Sequence, residues 1–351
     1  MQGLDTTIVN VCLPHIQGSM SASQDQISWI LTSYIVCSAI TMPLTGWLAG
    51  RFGVKYIFLA SVIGFTIASA LCGAATSLNQ LVLYRVLQGV CSAGLVPLGQ
   101  ATLFTIYPRE RHGYAMAIFS TGAMMGPIIG PTLGGYLTEE LGWRWCFYIN
   151  LPVGALCALG VFLFIRPSRP TLRDQFDMFG FAMLSLAVGS LQLMLDRGQI
   201  KDWFHSTEIW AEGTVAVLCF YLLVVHTMTA GERSFLNREL LKSPNFVAGS
   251  LLMFGVGSLQ LMLDRGQIKD WFHSPEIWTE ATIAALCFYL LVVHTSTAGE
   301  RSFLNRELLK SPNFVAGSVL MFGVGMILSG SLALVPSMMQ VLMNYPVFDA
   351  G

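Results

Sequence analysis

Gly122-Ala-Met-Met-Gly-Pro-Ile-Ile-Gly-Pro-Thr-Leu-Gly-Gly135 sets two prolines and five glycines inside an apolar segment of membrane-spanning length. Gly122, Gly126, Gly130 and Gly134 recur every fourth residue, so they share one helical face on which another backbone can approach closely. Pro127 and Pro131 follow the same spacing. Each removes an intrahelical hydrogen bond, a defect tolerated in a bilayer only where neighbouring helices or polar groups satisfy the freed carbonyl. The pattern suits a helix that bends at a moving interface; the alternative is a kinked packing helix with no gating role.

Composition places that helix in a membrane. Charged residues make up 11% of the 351-residue chain and apolar residues 54%, against about 25% charged in soluble domains. Apolar runs of bilayer length are read at 4–18, 27–49, 56–75, 80–104, 113–137, 146–165, 179–195, 208–228, 246–263, 276–295 and 314–342. The chain is therefore expected to be an all-α, polytopic membrane protein. With the first residue inside, the inner connections carry thirteen basic residues, among them Arg51, Lys55, Arg109, Arg111 and Arg166. The outer connections carry only Arg144, Arg197, Lys201, Arg265 and Lys269, which obeys the positive-inside rule. The formal net charge of −1 offers no surface for nucleic acid.

The eight cysteines and six histidines lack paired metal-ligand spacing, and the cysteines read as small buried hydrophobes. No metal site, cofactor motif, catalytic constellation or Walker loop is present. The chemistry is therefore sought in polar groups within spans, which are costly and usually functional. Asp5, in Leu4-Asp-Thr-Thr-Ile-Val-Asn10, is foremost. Taking a carboxyl out of water disfavours its charged form, the property that a proton-coupled carrier uses; alternatively Asp5 caps a helix that begins late. Arg85, in Leu83-Tyr-Arg-Val-Leu-Gln-Gly89, must find an anion, a carbonyl or water, and Gln88 lies one turn away on its face. The alternative for Arg85 is a side chain that snorkels outward. The connection Gly46-Trp-Leu-Ala-Gly-Arg-Phe-Gly-Val-Lys55 is basic and glycine-rich, the mark of an inner loop.

Residues 190–257 and 258–325 match at all but a handful of positions. Ancient transporter repeats survive only as weak similarity, so this near-verbatim pair reads as a recent tandem duplication or an assembly error. Each unit contributes two crossings. Two nearly identical hairpins cannot both occupy the surroundings that suit one, and the sequence leaves open which copy is displaced.

Together these motifs resemble the fourteen-span drug:proton antiporters of the major facilitator superfamily. Leu4 to Asn10 with Pro14 looks like that branch's first-span signature, and Gly46 to Lys55 like the superfamily's loop between spans two and three, with Gly46, Arg51, Gly53 and Lys55 as its matching positions. Arg85 to Gly89 resembles the fourth-span arginine motif, and Gly122 to Gly135 the antiporter motif of span five. Trp143-Arg-Trp-Cys-Phe-Tyr-Ile-Asn-Leu-Pro-Val-Gly154 resembles the start of span six. Gly50 and Val54 stand where many facilitators carry an aspartate and an arginine.

The resemblance implies a six-span bundle over residues 1–166, a linker region over 167–312 and the start of a second bundle over 313–351. It implies export of small hydrophobic or cationic compounds in exchange for protons. Asp5, Asn10, Arg85 and Gln88 would serve coupling, and Gly122, Gly126, Pro127, Gly130, Pro131, Gly134 and Gly135 the interface helix. The lipid bilayer is the host, no cofactor is expected, and Gram-negative relatives imply a membrane-fusion adaptor and an outer-membrane channel as partners. The front of the first span and the second bundle would be missing, so this chain by itself is expected to be an inactive fragment. A facilitator-type nutrient importer or uniporter, and a non-transporting membrane interaction protein, are the rival readings.

Overall fold

The computed structural model describes residues 1–167 and the later stretches 176–198, 206–230, 243–266 and 274–297, with positions 201, 203, 234, 312, 315–317 and 319. All regular structure among these residues is helical. The described residues divide into two units, the first running from Met1 to His226 and the second starting at Thr227. The apolar run at 314–342 and most of the second bundle's expected start lie outside the described residues.

The first unit opens with α1 (Gln2–Met20), α2 (Gln24–Phe52) and α3 (Val54–Ala74). Ser23 starts α2 through a capping box with Gln26, satisfying donors that a helix start leaves free. A single residue, Gly53, joins α2 to α3 with φ +94° and ψ +141°. The stretch expected as a loop from Gly46 to Lys55 is thus almost wholly helical, because only Gly53 must leave helical geometry. A side chain in that conformation is strained by about 1–3 kcal/mol. Gly53→Ala is expected to lower stability by that amount, measured as the loss of monodisperse protein on heating in detergent.

The expected span at 80–104 is two helices, α4 (Leu78–Ser92) and α5 (Leu95–Ile106). Pro97 cannot donate to the Ala93 carbonyl, and the helix breaks there. In the same way α7 (Trp145–Tyr148) and α8 (Asn150–Phe164) meet one turn before Pro152, which cannot bond Tyr148. Between them α6 (His112–Glu140) stays one helix across Pro127 and Pro131. Then come α9 (Met178–Arg197) and α10 (Thr207–Ala230). In the second unit α11 (Pro244–Gly266) packs against α12 (Pro275–Thr297).

Eight of these segments are long and apolar enough to cross a membrane. α1 falls short because Asp5, Asn10, His15 and Gln17 dilute its apolar run, and α11 offers only the shorter stretch Phe246–Gln260. Side chains such as Phe164, 82% exposed, and Val217, 72% exposed, lie on the outside of the molecule, which in a bilayer is where apolar groups belong. Ile8, Val9, Cys12 and Ile16 of α1 pack with Ile27 and Ile30 of α2, Leu81 of α4, Leu137 of α6 and Phe147 of α7 in the buried core.

α9 packs on α2 within the first unit. Asp196 accepts a hydrogen bond from Thr32, Arg197 pairs with Glu208, and the Arg197 guanidinium lies 4.8 Å from the Trp29 ring centre. Asp177 caps α9 by accepting from the Gly180 amide at 2.9 Å, and its other carboxyl oxygen meets His226 Nε2 of α10 at 2.8 Å. The duplicated histidine, His294 of α12, has its Nε2 buried with no hydrogen-bond partner among the described residues. The repeat begins only at residue 190, so the register of Asp177 is filled by Asn245 in the second hairpin. The first copy therefore completes its contacts with residues from outside the repeat, and the second carries the histidine without that acid.

Candidate functional site

The buried residues of α1, namely Asp5, Ile8, Val9, Cys12 and Ile16, follow the spacing of one helical stripe. That stripe carries Asp5 inward with its apolar neighbours. On α4 the stripe is Leu81, Arg85, Gln88, Gly89 and Ser92. Gly89 is what lets it in: a Cβ there would lie 2.5 Å from the Tyr34 carbonyl oxygen of α2. On α3 and α8, Gly73 abuts the Tyr148 ring and Gly154 abuts Thr66, and this close approach brings Asn150 beside Ser69.

At the meeting point Arg85 Nη1 donates to Asp5 Oδ2 at 2.7 Å, and both side chains are 0% exposed. The same nitrogen donates to Gln88 Oε1 at 2.8 Å, and Arg85 Nε donates to the Ile30 carbonyl at 3.1 Å. Asp5 Oδ1 accepts from Gln88 Nε2 at 3.0 Å and from Asn150 Nδ2 at 2.8 Å. Asn150 Nδ2 also donates to Ser69 Oγ at 3.1 Å, whose hydroxyl donates to the Phe147 carbonyl at 2.8 Å. The guanidinium sits 4.2 Å from the Tyr34 ring centre and 5.8 Å from that of Phe147, a cation–π arrangement worth more out of water than in it.

Asp5 is thus not a helix cap, since its carboxylate points to other helices and Met1 occupies the cap position. Nor does Arg85 snorkel: its side chain ends on Asp5. The arrangement compensates both buried charges and satisfies most of their hydrogen-bonding capacity, which is the condition for a buried ion pair to persist. Chemically it is a carboxylate held from α4 on both oxygens and from α8 on Oδ1, so a proton added to it changes contacts on α4 and α8 together.

Asn10 does not join this cluster. It is exposed, because five residues at 100° each turn it about 140° away from Asp5 around α1. Sequence reasoning passed over Asn150 and Ser69. The signal that could have found Asn150 is the one that marks Asp5, a polar group inside an apolar run.

The glycine face of α6 meets α1. A Cβ on Gly126 would lie 2.7 Å from the Leu4 nitrogen, one on Gly130 would overlap the Thr7 hydroxyl, and one on Gly134 would come within 3.2 Å of the Ile8 Cα. Thr7 Oγ1, which donates to the Gly3 carbonyl at 2.9 Å within α1, also lies 3.4 Å from the Gly126 carbonyl, and Pro127 Cδ stands 3.4 Å from the Cβ position of Gly3. Gly135 is buried, whereas Gly122 faces open space and takes no part in the contact. Pro131 is half-buried. Cys12 of α1 and Cys146 of α7, read from the sequence as separate buried groups, are joined as a disulfide, and the other six cysteines are free.

Of the inner motif, Lys55 Nζ donates to the Phe162 carbonyl at 2.7 Å and Arg51 lies over the Trp47 ring. Gly46 meets nothing within 4 Å of a Cβ position. It lines, with Met42, Ala49 and Pro97, a mostly apolar cavity of about 420 Å³ between α2 and α5 that shares no residue with the Asp5 cluster. Among the described residues no group of histidine, cysteine and acidic side chains is arranged to hold a metal ion.

Comparison with known proteins adds family evidence. The family model described as Major Facilitator Superfamily matches residues 1–351. The multidrug export protein EmrB of Escherichia coli K12 is 42% identical over 269 residues, 76% of this chain and 52% of its own length. EmrB of Haemophilus influenzae is 39% identical over 282 residues, 79% of this chain and 55% of its own. The fatty acid resistance protein FarB of Neisseria gonorrhoeae is 37% identical over 269 residues, 75% of this chain and 53% of its own. The chain spans about half the length of these curated relatives. A crystal structure of a bacterial homologue of the human lysosomal transporter Spinster, inward-facing and unoccupied, aligns with a TM-score of 0.43 at 20% identity, over 97% of this chain and 80% of that one.

Proposed function

The chain belongs to the Major Facilitator Superfamily, and from that premise we propose that it serves proton-coupled export of small hydrophobic or cationic compounds. It is a multi-pass protein of the cell inner membrane and a transporter rather than an enzyme. The observation that carries the proposal is the fully buried Asp5–Arg85 pair with Gln88 and Asn150 on the same carboxylate. Protonation of Asp5 removes the charge that holds Arg85 Nη1, and α1 and α4 lose their strongest tie. The guanidinium then turns to other acceptors, and the helices settle into a second packing. α6, pressed backbone to backbone on α1 through Gly126 and Gly134, passes that change to the interface of a rocking bundle. Lys55, bonded to α8, and Arg51 secure the inner end. Names such as multidrug export and fatty acid resistance among the relatives support an apolar cargo, and an adaptor and outer-membrane channel are the proposed partners.

The test is transport by the protein in everted vesicles, with a fluorescent lipophilic cation as cargo. An imposed pH gradient is expected to drive export, and Asp5→Asn to abolish it while leaving cargo binding. Undiminished export after the gradient has been collapsed would remove proton coupling from the account. Equal flux with the gradient reversed would point to a uniporter.

A further inference from the structure

We propose that Asn150 is an amide switch that holds Asp5 in both of its protonation states and so links the proton to α8; this rests on the reading of Asp5 as the proton carrier. As folded, Asn150 Nδ2 donates to Asp5 Oδ1, and Asn150 Oδ1 is buried with no hydrogen-bond partner. A buried acceptor left idle is costly. It has a use once the carboxyl is protonated, because the new O–H on Oδ1 must find an acceptor. Gln88 Oε1 is already engaged by Arg85 Nη1 and by the Cys72 thiol. Rotating the Asn150 amide by half a turn exchanges its nitrogen and oxygen without changing its shape, and moves the idle position from the acceptor to the amide nitrogen. Oδ1 then stands where Nδ2 stood, 2.8 Å from Asp5 Oδ1, and N–H···O⁻ becomes O–H···O=C. Ser69 can follow: its hydroxyl accepts from Asn150 and donates to the Phe147 carbonyl, and after the rotation it donates to Asn150 Oδ1 instead, freeing that carbonyl at the α7–α8 junction.

The proton enters Oδ1 from water on one side of the membrane and leaves to water on the other, with no other bond made or broken. The titratable and charged groups that face Asp5 are Arg85 on α4, Tyr34 on α2 and Cys72 on α3. Arg85 carries no acceptor; the Cys72 thiol is turned to Gln88 Oε1, and the Tyr34 hydroxyl, though buried without a partner among the described residues, makes no hydrogen bond to Asp5. Asn150 alone among its contacts combines a donor in place with an acceptor in reserve.

The experiment is nuclear magnetic resonance of the full chain in lipid nanodiscs, with aspartate carboxyls labelled in carbon and asparagine amides in nitrogen, from about pH 4 to 10. Asn150→Ser, which keeps a small hydrogen-bonding side chain, assigns the Asn150 signal. Asp5→Asn assigns Asp5, with Asp5→Glu in its place if that variant does not fold. The expected result is that the Asn150 amide moves between two positions with the midpoint of the Asp5 carboxyl, and that this movement is lost in Asp5→Asn. An Asp5 that titrates while the Asn150 amide stays fixed, or moves at a different midpoint, overturns the switch and leaves the proton carrier standing. An Asp5 carboxyl that is silent across the whole range overturns both.

Discussion

Arg85→Met is expected to destabilise the protein by about 3–5 kcal/mol, because removing one partner of a buried pair leaves the other charge uncompensated. Here the loss is direct. Asp5 and Arg85 are both inaccessible to solvent and 2.7 Å apart, so water cannot replace the missing guanidinium. Gln88 and Asn150 would remain as neutral donors to Asp5, which sets the effect toward the lower end of that range. Asp5→Leu is expected to cost a similar amount, since it leaves the guanidinium with only the Ile30 carbonyl and Gln88. The double variant, Asp5→Leu with Arg85→Met, is expected to recover most of the stability, because an apolar pair of similar volume avoids the desolvation cost of two ions. It should nonetheless remain without proton-coupled transport. The measurement is the fraction of monodisperse protein surviving a temperature series in detergent, beside a transport assay. A double variant as unstable as either single one would mean that shape, and not charge, sets the requirement at these positions.

Gly126→Ala is the second large effect. The added Cβ would lie 2.7 Å from the Leu4 nitrogen and 3.0 Å from the Gly3 carbonyl carbon. These are backbone atoms, which no rotamer change can move aside. α1 and α6 must separate, and overpacking of this kind costs about 1–3 kcal/mol. Because α1 also carries Asp5, the shift should disturb the ion pair, so transport is expected to fall by more than stability alone explains. Gly122→Ala is the control on the same helix. Its Cβ meets nothing within 4 Å, and exchanging glycine for alanine in a helix is expected to be neutral or to gain up to about 1 kcal/mol. Equal losses from the two variants, measured by heating in detergent, would show that helix α6 is not held to α1 by its glycine face.

The sequence by itself determined the class and the ingredients. Composition and run length marked a helical membrane protein, because a bilayer leaves backbone groups no partner outside a helix or a closed barrel. The cost of placing a carboxylate, an arginine and a glutamine inside apolar spans singled out Asp5, Arg85 and Gln88. The four-residue glycine spacing marked α6 as a close-packing helix, although Gly122 fits that spacing as well as Gly126 does and only the fold separates them. Asn150 carries the local mark of an amide inside an apolar run, but nothing local joined it to a carboxylate 145 positions away. Which prolines end their helix, as Pro97 and Pro152 do, and which are carried through, as Pro127 and Pro131 are, was likewise decided by tertiary structure. The physical reason is common to them all. Periodicity tells which face of a helix turns inward, but a hydrogen bond between helices depends on how closely two backbones approach and in what register, and those distances are set by every contact in the packed bundle at once.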